Sequence, residues 1–199
     1  MNNADKIILS LFDYTGNWSK PYRDNGYIVI QIDIKHGLDI LDWDYKQIDK
    51  VYGILAAVPC TDFAISGAAW FKSKDNDGRT EKSIALVKKT MEIINYFNPA
   101  FWVIENPMSR IHKLNLELGQ VKYKFHPYEF AQYDPNPRDS QYQKTTWLWG
   151  KFNELVKKPL ENIDGQKLHK KLGGKSARTK ELRSITPMGF AEAFFEANQ

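Results

Sequence analysis

Residues 6–33 read KIILSLFDYTGNWSKPYRDNGYIVIQID, and their pattern decides the fold. The apolar run 6–12 stops at Asp13-Tyr14-Thr15-Gly16-Asn17, which predicts a buried strand entering a tight loop. Residues 18–25 predict a brief helix, because Pro21 suits a first turn and Asn25-Gly26 is a stop signal. Residues 27–32 (YIVIQI) predict a second strand, with Asp33 at its carboxyl end.

The same alternation continues outward. Residues 51–58 (VYGILAAV) read as a third strand, followed by Pro59-Cys60. Across 80–97, Ile84, Val87, Met91, Ile94 and Phe97 recur at three- and four-residue steps, which predicts an amphipathic helix. Asn98-Pro99 stops it, and residues 101–104 (FWVI) form another buried strand ending in Glu105-Asn106-Pro107. Near-continuous apolar strands separated by helices predict an α/β fold with a mostly parallel central sheet and helices on both faces. Beyond residue 120 the pattern changes. Residues 123–133 read as aromatic and extended, 134–140 as a turn or loop, and 144–150 as a β-type run. Residues 164–180, with Gly165, Gly173, Gly174 and six cations, read as a mobile loop. Thr186-Pro187 opens a final helix over 188–197. No internal repeat or second domain boundary is visible, so 1–199 reads as a single domain.

Composition narrows the class. A length of 199 residues suits one domain with a proper core. One cysteine permits no intrachain disulfide and suggests a reducing, cytoplasmic setting. A mean hydropathy of −0.53 and the lack of a long apolar run argue against a membrane span, and no signal-peptide pattern opens the chain. No Cys/His cluster has metal-ligand spacing, so no metal is expected. The net charge of +4 is uneven. Residues 151–183 carry ten Lys and Arg against four acids, a net +6, so the remainder is −2. A basic stretch on a near-neutral body suits an anionic polymer, and equally a solvated surface segment.

Ligands of parallel sheets bind beyond the carboxyl ends of the strands, which makes the polar residues there the first candidates. The loop through Gly16 is placed for backbone N–H groups to meet a nucleotide-like ligand, although a single glycine equally suits an ordinary turn. Asp33 can accept ribose hydroxyls, and its 17-residue distance from Gly16 is close to that expected of such a pair; the alternative is a helix N-cap or a solvated acid. Cys60 lies just past an apolar strand, where a buried structural thiol is less expected, and needs local help to ionise at neutral pH. Glu105 ends an apolar strand, so desolvation should raise its affinity for a proton. A nucleophile and an acid at neighbouring strand ends make a chemical pair.

In this order the motifs resemble those of the DNA cytosine-5 methyltransferases, and most closely their small phage-type members. Residues 11–17 are similar to the family's cofactor loop, with Phe12, Thr15 and Gly16 at its contact positions. Asp33 stands at the place of the ribose-binding acid and Ile34 at that of the adenine-stacking residue. Asp39-Ile40 resembles the acidic motif that meets the adenine amine. Pro59-Cys60, with Phe63, Ser66 and Gly67, resembles the Pro-Cys nucleophile motif. Glu105-Asn106 resembles the Glu-Asn motif, with Pro107 where valine is usual. Gln143-Lys144 and the following strand stand where Gln-x-Arg-x-Arg belongs. Thr145 and Trp147 replace its arginines, leaving Lys144 and Thr146 as substitutes. Arg183 and Thr186-Pro187 resemble the start of the last motif.

The resemblance implies a Rossmann-like fold binding S-adenosylmethionine, and a monomer that flips a cytosine out of DNA. It implies that the Cys60 thiolate adds to cytosine C6 while Glu105 protonates N3, so that C5 accepts the methyl group. Ser66, Asn106, Lys144 and Thr146, with Lys175 and Arg178 of the basic stretch, are the expected substrate contacts. Residues 151–182 occupy the place of a large recognition domain, for which they are too few. The alternatives are a catalytically impaired accessory protein that binds nucleic acid, or a methyltransferase acting on RNA or a pyrimidine nucleotide.

Overall fold

The computed structural model describes residues 3–114, 116–160, 168, 172 and 176–199. Its strands are β1 (Ile7–Leu11), β2 (Ile28–Ile32), β3 (Gly53–Ala57), β4 (Phe101–Pro107), β5 (Tyr123–Phe125) and β6 (Thr146–Lys151). They form one sheet in the order β2-β1-β3-β4-β6-β5. The first four run parallel, and β6 enters antiparallel to both β4 and β5. The chain leaves β1 toward one edge for β2 and then crosses back to β3 on the other side. That reversal opens a crevice at the carboxyl ends of β1 and β3, where Rossmann-like sheets take their ligands.

The expected two-sided burial is present, and alternation within the strands explains it. Successive side chains of a strand point to opposite faces. Leu9, Ile54, Ile104 and Trp149 enter one core with Val87, Ile93 and Ile94 of helix α3 (Arg79–Phe97). Their neighbours Ile8, Leu55, Val103 and Leu148 enter the other. There they meet Trp18, Tyr22 of α1 (Lys20–Asp24), and Phe190 and Phe194 of the C-terminal helix Met188–Ala197. Both faces are apolar because both are covered.

The β4–β6 pairing depends on one glycine. Gly150 lies opposite Val103 with φ +143°, and a Cβ there would fall 2.1 Å from the Trp102 carbonyl oxygen. Gly150→Ala is therefore expected to cost about 3 kcal/mol or more in denaturant unfolding, since backbone must move to admit the methyl group.

Two sequence expectations are corrected and one pair of elements is added. Residues 123–133 are not extended throughout. Only Tyr123–Phe125 is strand, and Pro127–Tyr133 winds into 3-10 turns. The reason is local, because Pro127 opens the first turn and the Glu129 carboxylate accepts from the His126 N–H at 2.7 Å. Residues 65–76 gave no element from sequence, yet they form a 3-10 segment, Ile65–Trp70, followed by helix α2 (Phe71–Asn76). The stretch 164–180 is not wholly loop. Helix α4 (Ala177–Ser184) begins inside it, capped by the Ser176 hydroxyl, which accepts from the Thr179 N–H at 3.1 Å. Residues 164–167, 169–171 and 173–175 of that expectation lie outside the described residues. The final helix, α5 (Met188–Ala197), follows Pro187 as expected. The first part of the basic stretch packs against the body: Leu155 is buried, and Lys158 exchanges backbone hydrogen bonds with Glu129 and Gln132.

Candidate active site

Two clusters of polar residues collect at the carboxyl ends of the parallel strands. The first surrounds the crevice beside β1 and β2. Phe12 ends β1 in a left-handed conformation, φ +61°, turning the chain sharply. Asp13 is buried and acts as the internal anchor of the loop. One of its carboxylate oxygens accepts from the Ser10 hydroxyl at 2.8 Å, the Ser19 hydroxyl at 3.0 Å and the Ser19 N–H at 3.2 Å. Gly16 has φ +70°, and a Cβ there would press on the Gln31 side chain at 3.0 Å. Gln31 in turn donates to the Asp13 carbonyl at 2.7 Å. Thr15 is exposed, and its hydroxyl accepts from the Asn17 N–H at 3.4 Å.

Asp33 ends β2 and accepts from the Lys35 N–H at 2.8 Å, so it caps the short turn Ile34–His36. Ile34 beside it is 71% exposed, an unusual position for an aliphatic side chain. Asp39 is partly buried and accepts from the Leu41 N–H at 3.0 Å. Ile40 does not reach the crevice with its side chain, which is buried in the core under the sheet. The last segment of the chain closes on this loop, since the Asn17 amide donates to the Thr186 carbonyl at 3.2 Å. A tight turn, an acid and an exposed aliphatic face at the switch point fit the ribose and base of a nucleoside-type cofactor.

The second cluster lies at the ends of β3 and β4. Ala57 pairs with Glu105 in register, which sets Glu105 beside the Pro59-Cys60 turn. Asn106 is buried, and its amide donates to the Val58 carbonyl at 2.9 Å, tying the two strand ends together. The Asn106 Oδ1 is buried without a partner among the described residues. Asn106 thus supports the turn from within. Asn106→Ala should lower stability by about 1–3 kcal/mol, because the Val58 carbonyl is left unpaired; thermal unfolding measures it.

Cys60 is partly exposed, and its carbonyl closes the turn by accepting from the N–H groups of Phe63 at 3.0 Å and Ala64 at 2.8 Å. Burial pushes the thiol up from its ordinary ionisation range and Glu105 adds to this, while Lys144 and Lys74 pull it down. Burial likewise raises Glu105, and Lys144 opposes it. The Lys144 ammonium lies 3.9 Å from Glu105 Oε1. It also donates to the Arg183 carbonyl at 3.5 Å. Thr146 is buried one strand away and donates to the Lys144 carbonyl at 3.2 Å. Glu105, Lys144 and Thr146 line one small pocket with Ser184, Thr186 and Pro187. A carboxyl and a cation thus share one strand-end pocket, and both act on the charge of the neighbouring Cys60 thiol.

The remaining candidates are more dispersed. Pro59 is exposed beside Cys60, and Ser66 is exposed on the 3-10 segment Ile65–Trp70. Arg178 is exposed on α4. Lys175 lies outside the described residues. Helix α4 touches both clusters, pairing Glu181 with Lys35 at 2.9 Å and placing the Arg183 carbonyl on Lys144. The sequence reading missed Lys74, Asp62 and Arg110, which lie under the Cys60 turn. Nothing in their spacing marks them, because they come from three separate segments: the turn after Cys60, α2, and the stretch after β4. Among the described residues no helix is long and apolar enough to cross a membrane, and no group of three His, Cys, Asp or Glu could hold a metal.

Comparison with known proteins bears on this arrangement. No protein-family model matches the chain. A curated protein of Frog virus 3 (isolate Goorha), named "Probable DNA (cytosine-5)-methyltransferase", is 25% identical over 172 residues, covering 76% of this chain and 73% of its own length. Among solved structures, one named "putative DNA modification methyltransferase encoded within prophage" (E. coli) aligns with a TM-score of 0.47 and 16% identity. That alignment covers 87% of this chain, which spans 56% of the other. The chain resembles the DNA cytosine-5 methyltransferases in sequence as well as in its ordered motifs.

Proposed function

We propose that this protein is a DNA cytosine-5 methyltransferase that uses S-adenosylmethionine and a covalent Cys60 adduct. The observation that carries the reading is that Cys60 follows the end of β3, whose Ala57 pairs with Glu105, and that Glu105 and Lys144, 3.9 Å apart, both act on the charge of the Cys60 thiol. The relative's name supports cytosine C5 as the acceptor.

Phe12, Thr15 and Gly16 would line the cofactor from the first loop, with Asp33 on the ribose, Ile34 and Asp39 on the base, and Pro59 on the side facing Cys60. When bound, S-adenosylmethionine supplies an electrophilic methyl group. The chain's own task is to make cytosine C5 nucleophilic enough to accept it. The Cys60 thiolate forms a bond to C6, and the displaced ring electrons shift toward C5 and N3. Glu105 gives its proton to N3 and holds the exocyclic amine, so the ring never carries the full negative charge. After methylation the C5 proton leaves to a base, the C6–S bond breaks to return the Cys60 thiolate, and N3 gives its proton back to Glu105. Burial suits both groups: it raises the affinity of Glu105 for a proton, and a thiol of raised proton affinity is a stronger nucleophile once ionised. Lys144 offsets both shifts from one position and stands nearest to replace the missing arginines.

C6 is unreachable in a stacked duplex, so the target base must be extruded. Arg178 and Lys180 are exposed on α4, and with Lys175 they would contact phosphates. Binding to DNA should therefore weaken steeply with salt, as counterion release requires. A mononucleotide substrate would show a shallow slope.

The direct test supplies labelled S-adenosylmethionine with DNA, RNA or free cytidine nucleotides, then digests to nucleosides. Labelled 5-methylcytosine from DNA alone is the expected result. Label in RNA or free nucleotide would reassign the substrate, and no label on any acceptor would reject the activity. DNA containing 5-fluorocytosine should trap a Cys60-dependent adduct, which an accessory binding protein could not form.

A further inference from the structure

Beneath the Cys60 turn lies a set of buried charges that the chemistry above leaves unused. Lys74 on α2 is only 7% exposed. Its ammonium donates to the Thr61 carbonyl and stands 3.2 Å from Asp62 Oδ1. Asp62 is buried too, and its second oxygen accepts from the Ser83 hydroxyl at 2.7 Å. Arg110 approaches from the segment after β4. It donates from Nε and Nη2 to the Asp62 carbonyl, each at 3.2 Å, and pairs with Asp75 at 2.6 Å. The two carbonyls that follow Cys60 are thus each held by a cation.

A surface turn needs no such arrangement. Water would satisfy the Thr61 carbonyl, and removing a lysine ammonium from solvent is costly unless it is paired. Here the cation is brought inside, paired with Asp62, and set directly behind a turn whose side chain must carry negative charge when it reacts.

We propose that Lys74 is a positioning cation for Cys60: it fixes the Thr61 carbonyl and presents positive charge to the thiol, while Asp62 sets how much of that charge the thiol feels. The inference rests on the reading of Cys60 as the nucleophile. The charged groups that bear on the thiol come from three elements, with Lys74 on α2, Glu105 on β4 and Lys144 before β6. Lys74 acts with Lys144 and against Glu105.

The chain's single cysteine makes the test clean. The rate of iodoacetamide alkylation, followed from neutral to alkaline pH, reads the Cys60 thiolate alone. Lys74→Met removes the cation and should move the profile to higher pH. Asp62→Asn leaves the ammonium on Thr61, removes its counter-charge, and should move the profile to lower pH. Each shift should change the neutral-pH rate by about threefold to tenfold. A merely structural role would loosen the turn in both variants and move both profiles the same way. Profiles that move together, or not at all, overturn the proposal. If K74M fails to fold by circular dichroism, Lys74→Arg takes its place. It should keep the wild-type profile while Asp62→Asn still shifts down, and an unmoved Asp62→Asn profile then overturns the proposal. Thiol titration needs no methyl transfer, so a failure of the methyltransferase reading would appear separately, in the labelling experiment with wild-type protein.

Discussion

Cys60→Ser is expected to reduce methyl transfer to DNA by at least about 10³-fold, the scale lost when a covalent nucleophile is removed. A serine hydroxyl lacks both the acidity and the polarisability of the thiol, and neither Lys144 nor Lys74 can bring an alcohol into its ionising range. The swap is nearly isosteric at a partly exposed position, so the unfolding midpoint and cofactor binding should stay close to wild type. No second cysteine can take over. The measurement is label incorporation beside 5-fluorocytosine trapping. A serine variant that keeps a tenth of the activity would remove the covalent step from the mechanism. In the wild type, the rate should rise with pH through the thiol's ionisation, and burial sets that rise to the alkaline side of an ordinary cysteine.

Glu105→Gln should lower kcat by about 10²–10⁴-fold, the range for loss of a positioned proton donor. Glutamine can still meet the exocyclic amine but cannot protonate N3, so the Michaelis constant for DNA should change much less than kcat. The same variant should be more stable than wild type at neutral pH. Burial raises the Glu105 carboxyl in the folded state, so the native protein binds more protons than the unfolded chain above the ordinary glutamate range. Stability attached to this residue is therefore present at low pH and lost as pH rises through the raised value. Glutamine removes that loss, and the gap between variant and wild type should close in acid. A variant that loses activity and stability together at neutral pH would mark Glu105 as structural.

The strand ends were legible because parallel strands buried on both faces are written as apolar runs. Residues 6–12, 27–32, 51–58 and 101–104 could be read that way, and the polar residue after each run had to lie near the carboxyl edge. The segment 127–133 misled because its aromatic residues suit a strand, while Pro127 and the Glu129 cap impose turns. Helix α4 was missed because it is polar all round and owes its place to contacts with Lys35 and Lys144, distant in sequence. The resemblance assigns Asp39-Ile40 together to the cofactor, whereas the Ile40 side chain lies in the core.

By itself the sequence determined the class of sheet, the order of its parallel strands along the chain, and the identities of the thiol and carboxyl at their ends. Those features are local, since they depend on runs of apolar residues and on what interrupts them. Only the tertiary structure decided that β6 enters antiparallel beside β4, which brings Lys144 to 3.9 Å from Glu105. It alone set a buried Lys74–Asp62 pair beneath the Cys60 turn. Charge interactions act through space between residues far apart in the chain, so no spacing along one strand or helix encodes them.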